Sequence, residues 1–194
     1  MTELLVDFIT SLDGYGAAEG WPGFWGLQGP EYMAWLAEDS SGSYTTLMGA
    51  NTYRLMSAMG GENPDEESSM DDLAKASKVV FSTTLQPPLT WANTRLISGD
   101  AVEAVRAMKQ DGISMRTLGS VSLCRSLLKA GLVDRFRVCV FPVITGSTGS
   151  DRIYDGYPDV ALDMLSSRTF DGRIQLLEYV PRVLTAPPGV ENGS

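Results

Sequence analysis

Short apolar runs closed by turn-forming residues alternate with stretches of helical spacing along most of this chain. Leu4 to Ile9 is an apolar run around Asp7 that stops at Ser11-Leu12-Asp13-Gly14, the pattern of a first strand ending in a tight loop. Residues 15–30 carry Gly, Trp and Pro without a period, including Trp21-Pro22-Gly23-Phe24-Trp25-Gly26, and predict a structured loop with aromatic anchors. Glu31 to Glu38 has helical spacing, with Met33, Leu36 and Ala37 available for one face. Thr45 to Met48 reads as a brief strand running into Gly49, and Asn51 to Met59 as a helix. The acidic, polar stretch 60–72 reads as a surface loop.

The second half repeats the alternation. Leu73 to Ser77 is a short helix, Lys78 to Thr83 a β-branched strand, Pro87-Pro88 a turn and Thr94 to Ile97 another strand. Asp100 opens a helix with Val102, Val105 and Met108 on one face. Ser114 to Leu118 is a strand ended by Gly119-Ser120, and Val121 to Ala130 is an amphipathic helix with Gly131 as its C-terminal cap. Arg137 to Val143 reads as a buried strand with Pro142 near its end, followed by the flexible loop Gly146 to Gly149. Ala161 to Phe170 and Arg173 to Tyr179 are two closing strands joined by the hairpin signal Asp171-Gly172. Strands alternate with helices early and follow one another late. That order predicts an α/β fold: one mixed, mostly parallel sheet flanked by helices, with an antiparallel C-terminal edge. The expected domain runs over residues 1–181, with 182–194 as a flexible tail.

Composition narrows the chemistry. The 194 residues allow a sizeable core without metal or disulfide staples. The two cysteines, Cys124 and Cys139, lie in apolar segments and read as reduced core thiols. The start Met1-Thr2-Glu3-Leu4-Leu5 has neither a basic n-region nor a long apolar run, so a cytoplasmic protein without a membrane span is expected. The net charge of −9 repels polyanions and argues against nucleic-acid binding. An anionic ligand must then be held by local backbone donors. The chain has no histidine, which excludes Ser-His-Asp and Cys-His catalysis and HExxH zinc sites; no metal is expected. Hydride transfer survives this filter, because the cofactor carries the reactive bond.

The clearest local pattern is strand, Gly119-Ser120, helix. It suits a backbone that approaches a pyrophosphate at a helix N-terminus, and it equally suits a Gly-Ser that merely caps the helix. The context around it is more specific. The run from Arg116 through Gly119-Ser120-Val121-Ser122-Leu123 to Ala130-Gly131-Leu132-Val133-Asp134 resembles the signature of riboflavin-type reductases. Phe141-Pro142-Val143-Ile144-Thr145-Gly146 is similar to that family's Pro-x-x-x-Gly loop. Ser11-Leu12-Asp13-Gly14, then Met48-Gly49 with Thr52-Tyr53, then Lys78 to Leu85 fall in matching order, and the similarity spans roughly residues 3–180. The resemblance is to the dihydrofolate-reductase-like superfamily, as a stand-alone relative of the reductase domain of riboflavin biosynthesis.

That resemblance implies a mixed sheet of about eight strands and a cofactor, NADPH with NADH possible, lying across the carboxyl ends of the strands. The positions it carries over for the cofactor are Gly49, Asn51, Thr52, Ser82, Thr83, Gly119, Ser120, Val121, Leu123 and Gly146. Gly119 and its neighbours would cradle the pyrophosphate, Thr52 would donate to a phosphate, and Ser82 and Thr83 would face the adenosine ribose. Relatives often carry arginines where this chain has Ala50 and Thr83, which opens the choice between NADPH and NADH; Arg54 or Arg95 could substitute for them, and the alternative is that both are solvated surface charges.

Candidate catalytic groups, as proton donors or substrate anchors, are Asp13 and Glu31; the alternatives are a turn-forming Asp-Gly and a favourable acid in a helix's first turn. Tyr32 is a second candidate for the place of Glu31. Trp21, Trp25 and Trp35 could wall a planar heterocycle or anchor the core, and Tyr154 and Tyr157 could line the same mouth. The expected activity is reduction of a small planar C=N or C=O compound, in the manner of 5-amino-6-(5-phosphoribosylamino)uracil reductase; the rival is a non-catalytic nucleotide-binding protein of the same fold. By the same resemblance a homodimer is expected.

Overall fold

The computed structural model describes residues 2–20, 23–40, 43–59 and 73–189. Eight strands form the main sheet in the order β5-β4-β3-β6-β1-β7-β10-β9. They are β1 (Leu4–Ser11), β3 (Thr45–Gly49), β4 (Lys78–Phe81), β5 (Thr94–Ile97), β6 (Met115–Thr117), β7 (Arg135–Phe141), β9 (Val160–Phe170) and β10 (Ile174–Val183). Six of them, β5 through β7 in sheet order, run parallel; β10 pairs antiparallel with both β7 and β9. The expected mixed, mostly parallel sheet with an antiparallel C-terminal edge is therefore present. Among the described residues four longer helices accompany it, α1 (Pro30–Ser40), α2 (Ala50–Met59), α3 (Ala101–Gln110) and α4 (Val121–Lys129), and residues 73–75 are also helical. None of the described helices is long and apolar enough to cross a membrane.

Two strands were not visible in the pattern. β2 (Tyr15–Ala18) and β8 (Gly149–Arg152) form a separate antiparallel ribbon, with Tyr15 opposite Arg152. Both are four residues of small or polar type inside stretches that read as loops, and each is stabilised by a partner distant in sequence. The loop reading of 60–72 and the role of Trp21 lie outside the described residues.

The sheet's two faces have different chemistry. Leu4, Val6 and Phe8 of β1 and Phe136 and Val138 of β7 pack with Val105 and Met108 of α3 and with Leu123, Cys124, Leu127 and Leu128 of α4. α3 begins at Asp100, whose carboxylate accepts from the Val102 and Glu103 amides at 2.8 and 3.2 Å and so caps the helix. The opposite face packs against α1 through Tyr32, Trp35 and Leu36, the i, i+3, i+4 stripe. Met33 is 39% exposed, so the buried face is one residue out of phase with the Met33-Leu36-Ala37 expectation. Aromatic packing sets that phase: the Tyr32 ring meets Phe141 at 5.2 Å, and Trp35 meets Phe170 at 5.2 Å.

Beneath this aromatic layer lies an ionic one. Arg137 of β7 donates to both oxygens of Asp7 (3.0 and 2.6 Å) and both oxygens of Asp39 near the end of α1 (2.8 and 2.7 Å). Arg116 of β6 adds a bond to Asp39 at 2.8 Å. Burial pushes the Asp39 carboxyl up, but Arg137 and Arg116 outweigh it and hold the group below the usual carboxylate range. α1 is thereby tied to the centre of the sheet by charge as well as by packing. Cys124 and Cys139 are buried, and burial pushes both thiols up to about 12, so they stay protonated core groups.

Candidate active site at the carboxyl edge

All six parallel strands end on one edge, where the loops carrying most of the candidate residues meet. Between β6 and α4, Gly119 and Ser120 both adopt left-handed backbone conformations, at φ 55° and 65°. A serine before a helix usually caps a first-turn amide with its own hydroxyl. Here Ser120 does not: its Oγ accepts from the Gly49 amide at 2.7 Å and bonds to Thr52 Oγ1 at 2.9 Å. The first-turn amides of α4 are left without a side-chain cap, facing the positive end of the helix dipole outward. Contact here is close, since a Cβ at Gly119 would stand 3.3 Å from Thr52 Oγ1 and one at Gly49 would stand 3.4 Å from Ser120 Oγ. Gly49, Thr52, Gly119 and Ser120 thus form one cradle joining the ends of β3 and β6. Its uncapped amides and glycine backbone fit the pyrophosphate of a dinucleotide. Leu123 is buried in the core and Val121 packs against it, so these two shape the helix beneath the cradle.

A second group gathers at the ends of β1 and β7. Asp13 Oδ1 accepts from the Ser11 hydroxyl at 2.6 Å and from the Thr145 amide at 3.1 Å, bridging the two loops. Its other oxygen faces Gly146, whose Cβ would lie 3.9 Å away. The Ser11 hydroxyl, then the Thr145 amide and the Arg152 charge, hold the Asp13 carboxyl below the usual carboxylate range against the cost of partial burial. At neutral pH it is a carboxylate with no proton to give. Asp13 therefore suits the role of anchor, accepting from a ligand N–H or O–H, better than that of donor. Tyr154, 48% exposed, lies over the adjacent Gly14, while Tyr157 packs against Phe136 in the core. Ser11 could have been read from its spacing two residues before Asp13. Thr145, Arg152 and the β2–β8 ribbon that carries Arg152 gave no such signal.

The lowered Asp13 value has a testable sign. A carboxyl whose folded pKa lies below its unfolded value contributes stability above the unfolded value, roughly 4, and loses it as pH falls through the folded one. Asp13→Asn is expected to melt below the wild type at neutral pH, with the gap closing on acidification. Thermal melts across that range check this; a gap independent of pH contradicts it.

A third group lies at the end of β4. Ser82 Oγ accepts from the Thr84 and Leu85 amides, both at 3.1 Å, which fixes the loop. Thr83 and Thr84 are exposed on it. Arg54 of α2 reaches across, donating to Asn51 Oδ1 at 3.2 Å and to Thr84 Oγ1 at 3.4 Å. Arg95 is placed elsewhere: with Ser77, Lys78, Asn93 and Met108 it lines a cavity of about 490 Å³ around the amino ends of β4 and β5.

Glu31 bonds to the β9–β10 turn, which the pairing of Gln175 with Val140 sets beside the end of β7, and Trp25 and Trp35 pack in the aromatic layer. Glu31 Oε2 accepts from the Asp171 amide at 2.6 Å, while Asp171 accepts from the Glu31 and Tyr32 amides at 3.0 and 3.1 Å. The pair is a reciprocal cap between the start of α1 and the β9–β10 turn. Gly29 makes room for it, because a Cβ there would overlap the Asp171 carboxylate. Gly29→Ala is expected to break the clasp and cost about 1–3 kcal/mol. Urea denaturation reads the loss, and a stability unchanged from wild type contradicts the clasp. Trp25 packs on Phe141 at 5.7 Å and Trp35 under Arg137 at 5.0 Å, so both serve as core anchors. Tyr32 is fully buried and its hydroxyl has no hydrogen-bond partner among the described residues. The turn preceding α1 is strained: Phe24 and Trp25 lie at φ 48° and 50° between Gly23 and Gly26, all four left-handed. Phe24 stacked on Phe141 and Trp25 tilted against it hold that turn in place.

Comparison with known proteins agrees with this architecture. The family model of the RibD C-terminal domain matches residues 2–176. The uncharacterized protein YyaP of Bacillus subtilis (strain 168) is 26% identical over 182 residues, covering 91% of this chain and 93% of its own. A putative riboflavin biosynthesis protein from Shewanella sp. PV-4 superposes with a TM-score of 0.72 at 19% identity, over 93% of this chain and 99% of that one. The Thermotoga maritima diaminohydroxyphosphoribosylaminopyrimidine deaminase/5-amino-6-(5-phosphoribosylamino)uracil reductase superposes with a TM-score of 0.63 at 16% identity, over 93% of this chain and 57% of that one. The sheet order and these likenesses establish the dihydrofolate-reductase-like fold.

Proposed function

Because this chain belongs to the RibD C-terminal domain family, we propose that it is a nicotinamide-dependent reductase acting on a small planar compound with a conjugated C=N or C=O bond. The observation that carries the reading is the diverted Ser120 hydroxyl, which leaves the α4 amides free at the carboxyl edge of a parallel sheet. The cofactor, when bound, supplies the hydride. The protein's own part is placement. Gly49, Thr52, Gly119 and Ser120 hold the pyrophosphate, and Asn51, Ser82 and Thr83 border the nucleoside end. Asp13, steadied by Ser11 and Thr145, accepts a hydrogen bond from the substrate on the far side of the cradle beside Gly146. Asp13 is anionic, so it favours a substrate edge that presents N–H donors.

The test is to mix the protein with NADPH or NADH and a panel of planar imines and conjugated carbonyls, following loss of the reduced-nicotinamide absorbance. Saturable binding with turnover of a panel member supports the proposal. Saturable binding without any turnover favours the rival, a nucleotide-binding protein that has kept the fold and lost the reaction. No binding overturns both.

The reading includes a homodimer. β9 is one of the two edge strands of the eight-stranded sheet and exposes Leu162, Met164 and Leu165, with Val180 of β10 beside them. Light scattering at micromolar concentration distinguishes a dimer from a monomer, and a monomer mass removes this part of the proposal.

A further inference from the structure

We propose that Arg152 is a specificity residue of the substrate side, selecting planar compounds that carry one carboxylate; the assignment rests on the reductase reading above. In that reading Asp13 takes the N–H edge of the ring, and a neighbouring group decides what else the ring bears. β8 brings a cation there. It pairs antiparallel with β2, so that Arg152 stands opposite Tyr15, and directly opposed side chains share one face of the ribbon. The guanidinium lies over the Tyr15 ring, 5.5 Å from its centroid. Gly149 lets that ring lie close to the ribbon, because a Cβ there would stand 2.6 Å from it. The Tyr15 amide donates to the Ser11 hydroxyl oxygen at 3.0 Å, and that hydroxyl donates to Asp13 at 2.6 Å. Arg152 is thus held at a set place beside the anchor without bonding to it.

Its surroundings point to a ligand anion as the missing partner. Arg152 is exposed, and among the described residues it forms no hydrogen bond and no ion pair. Asp13 is already engaged by the Ser11 hydroxyl and the Thr145 amide, and the Arg152 charge reaches it through space with less effect than either. The guanidinium keeps its donors for a planar, two-oxygen partner, which is the geometry of a carboxylate. A phosphate dianion fits less well. Arg152 stands beside two acids, Asp13 and the exposed Asp151, and a bound dinucleotide adds the charge of its pyrophosphate across the cradle. Among the described residues no other arginine or lysine contacts Ser11, Asp13, Tyr15 or Thr145. The rest of the mouth is apolar. Leu12 and Ile144 are 65% and 71% exposed, on loops joined by a 2.8 Å bond from the Leu12 amide to the Val143 carbonyl. One acceptor, one cation and an aliphatic wall suit a flat ring with N–H donors and a single anionic substituent.

Calorimetry tests this on the protein saturated with NADP⁺, which has no hydride to give. The probes are two matched pairs, uracil with orotate and pterin with pterin-6-carboxylate, and uridine 5′-monophosphate as the phosphate. Each is titrated into wild type, Arg152→Ala and Arg152→Lys, and thermal melts confirm that the variants fold. In wild type the carboxylate of at least one pair is expected to bind about 10–100-fold tighter than its parent ring, and tighter than the monophosphate. Arg152→Ala is expected to remove that gain while leaving the parent ring and NADP⁺ bound as in wild type, and Arg152→Lys to restore part of it. No gain in either pair, a gain that survives Arg152→Ala, or tighter binding of the monophosphate overturns this assignment alone. Failure of wild type to bind NADP⁺ overturns it together with the reading it rests on.

Discussion

Replacing Arg137 with methionine is expected to lower the unfolding free energy by about 3–5 kcal/mol. The Arg137 side chain is 3% exposed and donates to four carboxylate oxygens, two on Asp7 and two on Asp39. Burial works against its charge, but the two acids outweigh that cost and raise its pKa, so it stays protonated. Methionine fills much of the volume and keeps some contact with the Trp35 ring. It also leaves two carboxylates facing each other across the α1–sheet interface. Asp39 retains Arg116, whereas Asp7 loses the one cation bonded to it among the described residues. Urea denaturation of the variant measures the loss. Adding Asp7→Asn to Arg137→Met should recover part of it, because the uncompensated charge is then removed. A loss below about 1 kcal/mol, the scale of a surface ion pair, would mean that the network is solvated and does not anchor α1.

The second large effect is on binding. Gly119→Asp is expected to weaken NADPH binding by at least about 100-fold. The backbone at Gly119 is left-handed, which costs a residue with a Cβ about 1–2 kcal/mol. The new Cβ would press on Thr52 Oγ1 at 3.3 Å, disturbing the hydroxyl pair with Ser120 that leaves the α4 amides open. Its carboxylate then places negative charge where phosphate is held. Gly119→Ala carries the first two costs without the third and should fall between wild type and aspartate. Calorimetric titration of the folded variants measures the series. An aspartate variant that binds like wild type would place the ligand elsewhere.

Much of the fold was legible because its periods are local. The apolar run of β1, the Asp100-capped spacing of α3 and the Asp171-Gly172 hairpin each announce themselves within a few residues. The cradle was legible only as a position, since Gly119-Ser120 reads equally well as an ordinary helix cap. What separates the two readings is the direction of the Ser120 hydroxyl, toward Gly49 and Thr52 on another element, and that depends on β3 lying beside β6. The same holds for Glu31. As an acid in a helix's first turn it is unremarkable, and its partner Asp171 lies in a turn near the other end of the chain. Arg54 and Arg95 were equivalent as residues, and strand direction alone puts one at the carboxyl edge and the other at the amino edge. The stripe of α1 was misphased for a related reason. Its phase follows Phe141 and Phe170, which arrive from β7 and β9.

The most direct measurement is an NADPH titration followed by backbone amide chemical shifts in the isotope-labelled protein. Binding at the carboxyl edge predicts that Gly49, Thr52 and the amides from Gly119 to Leu123 shift first and most, with Ser82 to Thr84 and Arg54 moving on the nucleoside side. Shifts clustered instead around Arg95, Asn93 and Ser77 at the amino edge, or no saturable shifts at all, would contradict the account.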